Sequence, residues 1–229
     1  AYFDASSAMP VRSEVIDEIV RFMGEDYGNP ASIHGWGSAP KRGMERARED
    51  VASLIGSKPE EIIFTSGATE SINLALRGSL PHGERSRKRV VISKVDHRSV
   101  VATASALANS GYEVVKLEVN ENGVIDLQSA EELINSETVM VSIPYASSEV
   151  GSIQPSLDIA RISRDHGALL HLDLTMAAFQ EKIDIGETTA DLATLSSNDL
   201  LGPKGVGALF VRNGVKMTAI AARPPHLLC

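Results

Sequence analysis

Ile62-Ile63-Phe64-Thr65-Ser66-Gly67-Ala68-Thr69-Glu70-Ser71 decides how the rest of the chain is read. A short apolar run gives way to a turn of small residues, and the turn opens a helix through Leu76. Strand, tight turn and helix in that order suit a sheet whose strands are covered by helices on both faces. Free backbone N–H groups and the positive end of the helix dipole meet at such a turn, so it suits an anion, with the Thr69 hydroxyl as a further donor. The same residues also serve as an ordinary helix cap.

The pattern repeats outward in both directions. Upstream, residues 11–24 carry Val11, Val15, Ile16, Ile19, Val20 and Met23 at near-helical spacing after Pro10, and residues 38–55 place Met44, Ala47, Val51, Leu54 and Ile55 on one helical face. Downstream, strands are expected at Arg89 to Ser93, Glu113 to Leu117, Val139 to Ile143, Ala168 to Leu172, 190–196 and 206–212. Helices are expected from Ser99 to Ala108, ending at Asn109-Ser110-Gly111, and over 128–135 and 156–165, the last ending near Gly167. These apolar strands alternate with amphipathic helices, which predicts an α/β fold with a mostly parallel sheet and a ligand site at the carboxyl ends of the strands. No internal repeat, low-complexity tract or linker interrupts it.

Composition narrows the function classes. The 229 residues are 43% hydrophobic and carry a net charge of −8, which fits a globular domain and disfavours a nucleic-acid backbone as partner. The longest basic run, Arg85-Ser86-Arg87-Lys88-Arg89, reads as a solvated turn before a strand. A single cysteine, Cys229, excludes an internal disulfide framework and fits a reducing cytoplasm. The start, Ala1-Tyr2-Phe3-Asp4, does not read as a signal peptide, and no apolar run approaches the roughly 18 residues that span a bilayer. No spacing of ligands suggests a metal site. The tail from about 217 to 229, with Pro224-Pro225, loses periodicity and reads as a truncated or altered terminus; residues 1–216 form the expected domain.

Three further positions fall just after expected strands. His97, in Val95-Asp96-His97-Arg98-Ser99, reads as a cap, a surface residue or a ligand-facing imidazole. Asp173, in His171-Leu172-Asp173-Leu174, is a carboxylate after an apolar run; it reads as a helix N-cap or as the partner of a cation such as a protonated pyridine. Leu195-Ser196-Ser197-Asn198-Asp199-Leu200-Leu201-Gly202-Pro203-Lys204-Gly205 is a tight loop with the backbone fixed by glycine and proline.

Together these stretches resemble the class V aminotransferase family, in particular the NifS/IscS-like cysteine desulfurases. The resemblance runs from Tyr2-Phe3-Asp4 to about Lys216. It is carried by Tyr27-Gly28-Asn29-Pro30-Ala31-Ser32-Ile33-His34, the Ile62 to Ser71 stretch, Glu149-Val150-Gly151-Ser152-Ile153-Gln154-Pro155 and Gly202-Pro203-Lys204-Gly205-Val206-Gly207-Ala208-Leu209. It implies a fold-type I, pyridoxal 5'-phosphate-dependent large domain with a mostly parallel seven-stranded sheet between helices. It also implies roles: Ala68 and Thr69 at the phosphate, His97 stacked on the pyridine ring, Asp173 on the ring nitrogen and Ser196 as a second phosphate ligand. The activity implied is transfer of sulfur from L-cysteine, leaving alanine, for iron–sulfur cluster or thio-cofactor assembly, in a homodimer.

The resemblance breaks at the chemistry. The family's Ser-x-His-Lys is Ser196-Ser197-Asn198-Asp199, so Asp199 stands at the Schiff-base lysine and Asn198 at the phosphate-binding histidine. The family's Asn-Asn-Glu is Ser147-Ser148-Glu149, which leaves Ser148 to meet the ring hydroxyl. The glutamine three residues after the ring aspartate is Met176, and the N-terminal Asp-Asn-Ala-Ala-Thr-Thr is Asp4-Ala5-Ser6-Ser7-Ala8-Met9. Lys204 matches a different lysine of the family, that of Gly-Pro-Lys-Gly. A carboxylate forms no imine, so the cofactor is expected to bind non-covalently with activity impaired. The family's smaller C-terminal domain, with its sulfur-accepting cysteine and glycine-rich loop, has no counterpart here, and Cys229 falls too early to match that cysteine. Four alternatives stay open: a non-catalytic partner of an iron–sulfur scaffold protein, a selenocysteine lyase, another class V aminotransferase, and a decayed product without function.

Overall fold

The computed structural model describes residues 1, 3, 9–80, 87–179 and 181–220. Asp4 to Ala8 of the opening hexapeptide, residues 221–229 of the tail with Cys229, and Arg85 and Ser86 of the basic run lie outside the described residues.

Seven strands form one sheet in the order β1-β7-β6-β5-β4-β2-β3, where β1 is Ile62–Thr65, β2 Arg89–Ser93, β3 Glu113–Leu117, β4 Thr138–Pro144, β5 Leu169–Asp173, β6 Leu192–Ser196 and β7 Gly207–Val211. β7 pairs antiparallel with both β1 and β6, while β6, β5, β4, β2 and β3 pair in parallel, so β7 alone runs against the others. The fold is therefore the mostly parallel α/β sheet expected from the strand pattern.

Each strand sends alternate side chains to two cores. Val91, Val141, Ile143, Leu170, Leu172, Ala193, Leu195 and Phe210 face one, against α2 (Ser38–Ile55), α5 (Leu127–Leu133) and α6 (Ser156–Asp165). Val90, Ile92, Met140, Leu192 and Leu209 face the other. That side is closed by α3 (Ala68–Asn73), the wider helical turn Leu74–Gly78 that continues it, and α4 (Arg98–Asn109), through Ile72, Leu76, Val100, Ala104 and Leu107. Burial on both faces is why these strands read as continuous apolar runs.

Three features differ from the sequence reading. α1 (Ser13–Gly24) starts two residues later than expected and buries no residue, leaving Val20 and Met23 exposed. Arg87 and Arg89 are only partly solvated: Arg87 donates to the main-chain carbonyls of Thr138, His166 and Gly167, and Arg89 pairs with Glu113 at 3.0 Å. The run that looked like a turn thus clamps the starts of β2 and β4 to the end of α6. The helix α7 (Ile185–Thr188) carries no sequence signal long enough to predict.

The β1 turn has one steric requirement of its own. Gly67 has φ of +143°, and its backbone lies 2.7 Å from where a Cβ on Gly207 would stand. Two glycines are needed for β7 to pass beneath the turn.

Candidate active site

A cleft of about 600 Å³ opens at the carboxyl ends of the parallel strands and is lined by Ala68, His97, Arg98, Ser148, Glu149, Asp173, Thr175, Met176, Asn198 and Asp199. Ala68 follows β1, His97 and Arg98 follow β2, Ser148 and Glu149 follow β4, Asp173 ends β5, and Asn198 and Asp199 follow β6. Five strand ends meet there because their crossovers all return to the same edge.

Of the residues singled out in the sequence, Ala68, His97, Ser148, Asp173, Asn198 and Asp199 border this cleft. Thr69 is exposed and lies outside its lining. Ser196 is buried and borders a separate small void with Phe64, Leu200 and Ala208. Lys204 is exposed on the loop before β7, also outside the lining.

Asp173 is 4% exposed, and its Oδ1 accepts the Thr175 main-chain N–H at 3.0 Å. Burial pushes its carboxyl above the usual range, Thr175 and His97 pull it back, and the Asp199 charge raises it further. The N-cap reading fits only its local turn, since no helix follows directly. His97 is the N-cap of α4: its Nδ1 accepts the Ser99 main-chain N–H at 3.2 Å and also meets the Ser99 hydroxyl. A main-chain N–H can only donate, so the neutral ring carries its proton on Nε2. Ser147 donates its hydroxyl to the Val95 carbonyl at 2.8 Å, which ties the loop bearing Ser148 to the turn bearing His97.

The loop after β6 is set by backbone contacts. Gly202 N–H donates to the Ser197 carbonyl at 2.7 Å, Ser197 donates its hydroxyl to the Pro203 carbonyl, and Leu201 takes φ of +59°. These contacts place Asp199 in a short helical turn at the mouth of the cleft.

Three residues at or beneath the cleft were not picked out from sequence. Thr175 lines it and holds Asp173. Asp96, 5% exposed, accepts the Ser93 N–H at 2.5 Å, while its Oδ1 has no partner, and burial raises its carboxyl well above the usual range. His171 is fully buried on the same face of β5 as Asp173. The i, i+2 spacing from Asp173 is the one signal that pointed to it.

A buried carboxyl of this kind suits a cationic ring nitrogen, and the fixed imidazole beside it suits a flat ring. The residues fit pyridoxal 5'-phosphate as a non-covalent ligand. They do not fit its covalent attachment, because the lining holds a carboxylate and no lysine.

The chain belongs to the class V aminotransferase family, whose model matches residues 1–224. Within that family it is similar to cysteine desulfurases. It is 42% identical over 219 residues to cysteine desulfurase IscS 1 of Archaeoglobus fulgidus, covering 96% of this chain and 57% of that protein. It is 40% identical to the mitochondrial cysteine desulfurase of Drosophila melanogaster, covering 92% of this chain and 46% of that one. A solved NifS-like protein superposes with a TM-score of 0.94 at 35% identity, covering 98% of this chain and 62% of that chain. The chain thus spans about half the length of the curated relatives it matches, and its sheet is that of the fold-type I structures.

Proposed function

We propose that residues 1–216 are the cofactor domain of a cysteine desulfurase-like protein that holds pyridoxal 5'-phosphate without a covalent bond and has little or no turnover by itself. Asp173 would hold the ring nitrogen, His97 the ring face and Ser148 the ring hydroxyl. Ala68 and Asn198, which border the cleft, would meet the phosphate; Thr69 and Ser196 lie outside its lining and would reach the phosphate only after their side chains turn. Bound there, the cofactor supplies an electron sink for bonds at an amino acid's α-carbon. The residues of this chain bind and orient. Asp173 keeps a negative charge opposite the ring, and His97 offers an N–H from Nε2 while its Nδ1 is engaged by Ser99. Asp199 accepts a proton but offers no amine for covalent capture.

The observation that carries this reading is that Asp173 and Asp199 line one cleft whose lining holds no lysine. L-cysteine as the sulfur donor is supported by the names of the relatives and by a solved neighbour, described as SspA in complex with cysteine, with a TM-score of 0.92 at 30% identity. An iron–sulfur scaffold protein as acceptor is supported by the likeness to IscS. A homodimer is supported by the apolar face of α1, open to solvent at Val20 and Met23. Placement in the cytoplasm is supported by the single cysteine. Among the described residues no helix is long and apolar enough to cross a membrane.

The test is spectroscopic. The purified chain mixed with pyridoxal 5'-phosphate should lack the visible band of a lysine-bound cofactor, and Asp199→Lys should create it. A band in the unaltered chain would overturn the reading. No band in Asp199→Lys would favour a second one, a non-catalytic partner in iron–sulfur assembly, which the exposed face of α1 also suits.

A further inference from the structure

His171 takes no part in the site as drawn so far. It is 0% exposed, and both its nitrogens are engaged: Nδ1 with the Ser142 hydroxyl at 2.8 Å and Nε2 with the Thr194 hydroxyl at 2.9 Å. Ser142 and Thr194 are also 0% exposed. The three side chains form a row across β4, β5 and β6, the strands that lead to Ser148, Asp173 and Asp199. Such a row is costly in an apolar core unless its members are paired, and here each has a partner.

Thr194 has a second neighbour. Its Cα is the register partner of Asp173 on the adjacent parallel strand, and neighbouring strands run only about 4.8 Å apart. A hydroxyl at that position is within one rotamer change of the Asp173 carboxyl. In the structure it turns to His171 instead, and the hydrogen bonds that Asp173 accepts come from Thr175.

We propose that His171 is a positioning residue: by accepting the Thr194 hydroxyl proton at Nε2, with its own ring proton on Nδ1 toward Ser142, it keeps that hydroxyl off Asp173 and leaves the carboxylate free for a cationic ring nitrogen. An imidazole suits the task because it stays neutral here; burial lowers its pKa to about 3, so the row adds no charge beside Asp173 in the physiological range. The charged or titratable groups that act on Asp173 are His97, Asp199 and Asp96, and none of them is altered in the test below. The identity of the ligand rests on the proposed function; the control of Asp173 by His171 does not.

The experiment follows the Asp173 carboxyl by carbon-13 NMR in the ligand-free protein and, separately, the affinity for pyridoxal 5'-phosphate by fluorescence titration. In His171→Leu the released Thr194 hydroxyl should turn to Asp173. The carboxyl pKa should then fall by about one unit and the affinity by about tenfold, since a hydrogen bond to the charged form favours it and competes with the ligand. His171→Leu combined with Thr194→Val should return both readings to within about twofold of the unaltered chain, a rescue that a merely structural role would not give. An unmoved carboxyl in the single variant, or a double variant no better than it, would overturn the inference. Thr194→Val alone keeps the test alive if the leucine variant does not fold. It should leave the Asp173 titration where it was, and a rise would show that the hydroxyl already serves Asp173. If the unaltered chain binds no pyridoxal 5'-phosphate, the proposed function fails while the carboxyl titration still decides the role of His171.

Discussion

The ends of β5 and β6 are neighbours and each supplies a carboxylate to the same cleft, but they hold it by different means. Asp173 is the last residue of its strand, in register with Pro144 on one side and Thr194 on the other, and is 4% exposed. Asp199 stands three residues beyond β6, partly exposed in a short turn set by main-chain hydrogen bonds. The sheet fixes the first and only a loop fixes the second. A substitution at 199 is therefore expected to disturb the fold less than one at 173, where the side chain is buried at a strand end.

Replacing one carboxylate and then the other is the strongest way to sharpen that contrast. Asp173→Ala should weaken pyridoxal 5'-phosphate binding by about a hundredfold, the loss of a charge-assisted hydrogen bond in a buried site. Asp199→Ala should leave binding intact or tighten it, and should lower the Asp173 pKa because a like charge has gone. Both are read by fluorescence titration; equal losses in the two variants would break the comparison.

Gly207→Ala probes how far the β6 side depends on its own close packing. The added methyl would meet the Gly67 backbone at 2.7 Å and the Leu195 carbonyl at 2.9 Å. Backbone cannot yield as a flexible side chain does, so a loss of about 1–3 kcal/mol is expected in urea unfolding, together with a shift of Ala68 at the cleft edge. An unchanged midpoint would show that the loop gives way more easily than this geometry implies.

Acid probes the β5 side. His171 has a folded pKa of about 3 against 6.5 when unfolded, so below 6.5 the unfolded chain takes up the proton first and stability falls. At pH 5.5 this costs about 1.4 kcal/mol relative to pH 7.5, and the loss continues until about pH 3. Asp96, Asp173 and Asp191 act in the opposite sense, because their folded pKa values are raised and the folded chain protonates first. Comparing urea unfolding at the two pH values in the unaltered chain and in the His171→Leu, Thr194→Val double variant isolates the histidine. The double variant should lose less on acidification, and equal losses would show that His171 does not titrate as its burial requires.

How much of this could be read beforehand depends on the range of each signal. The strands at Arg89–Ser93 and Glu113–Leu117 and the helix at Ser38–Ile55 match their expected bounds, because apolar periodicity and glycine stops are local. Asp173 and His97 were legible from their place just after apolar runs. Arg87 was misread because its partners, the carbonyls of Thr138, His166 and Gly167, lie far along the chain.

By itself the sequence determined the alternation of elements, the parallel sheet and the presence of a carboxylate at position 199, since each is written in neighbouring residues. Tertiary structure alone decided which strand ends share a cleft. It also decided that Thr69 and Ser196 stand outside that lining while Asn198 and Asp199 border it, and that Ser142, His171 and Thr194 form one buried row. Strand order and register create those neighbours, and they depend on packing energy summed over the whole sheet rather than on any short stretch of chain.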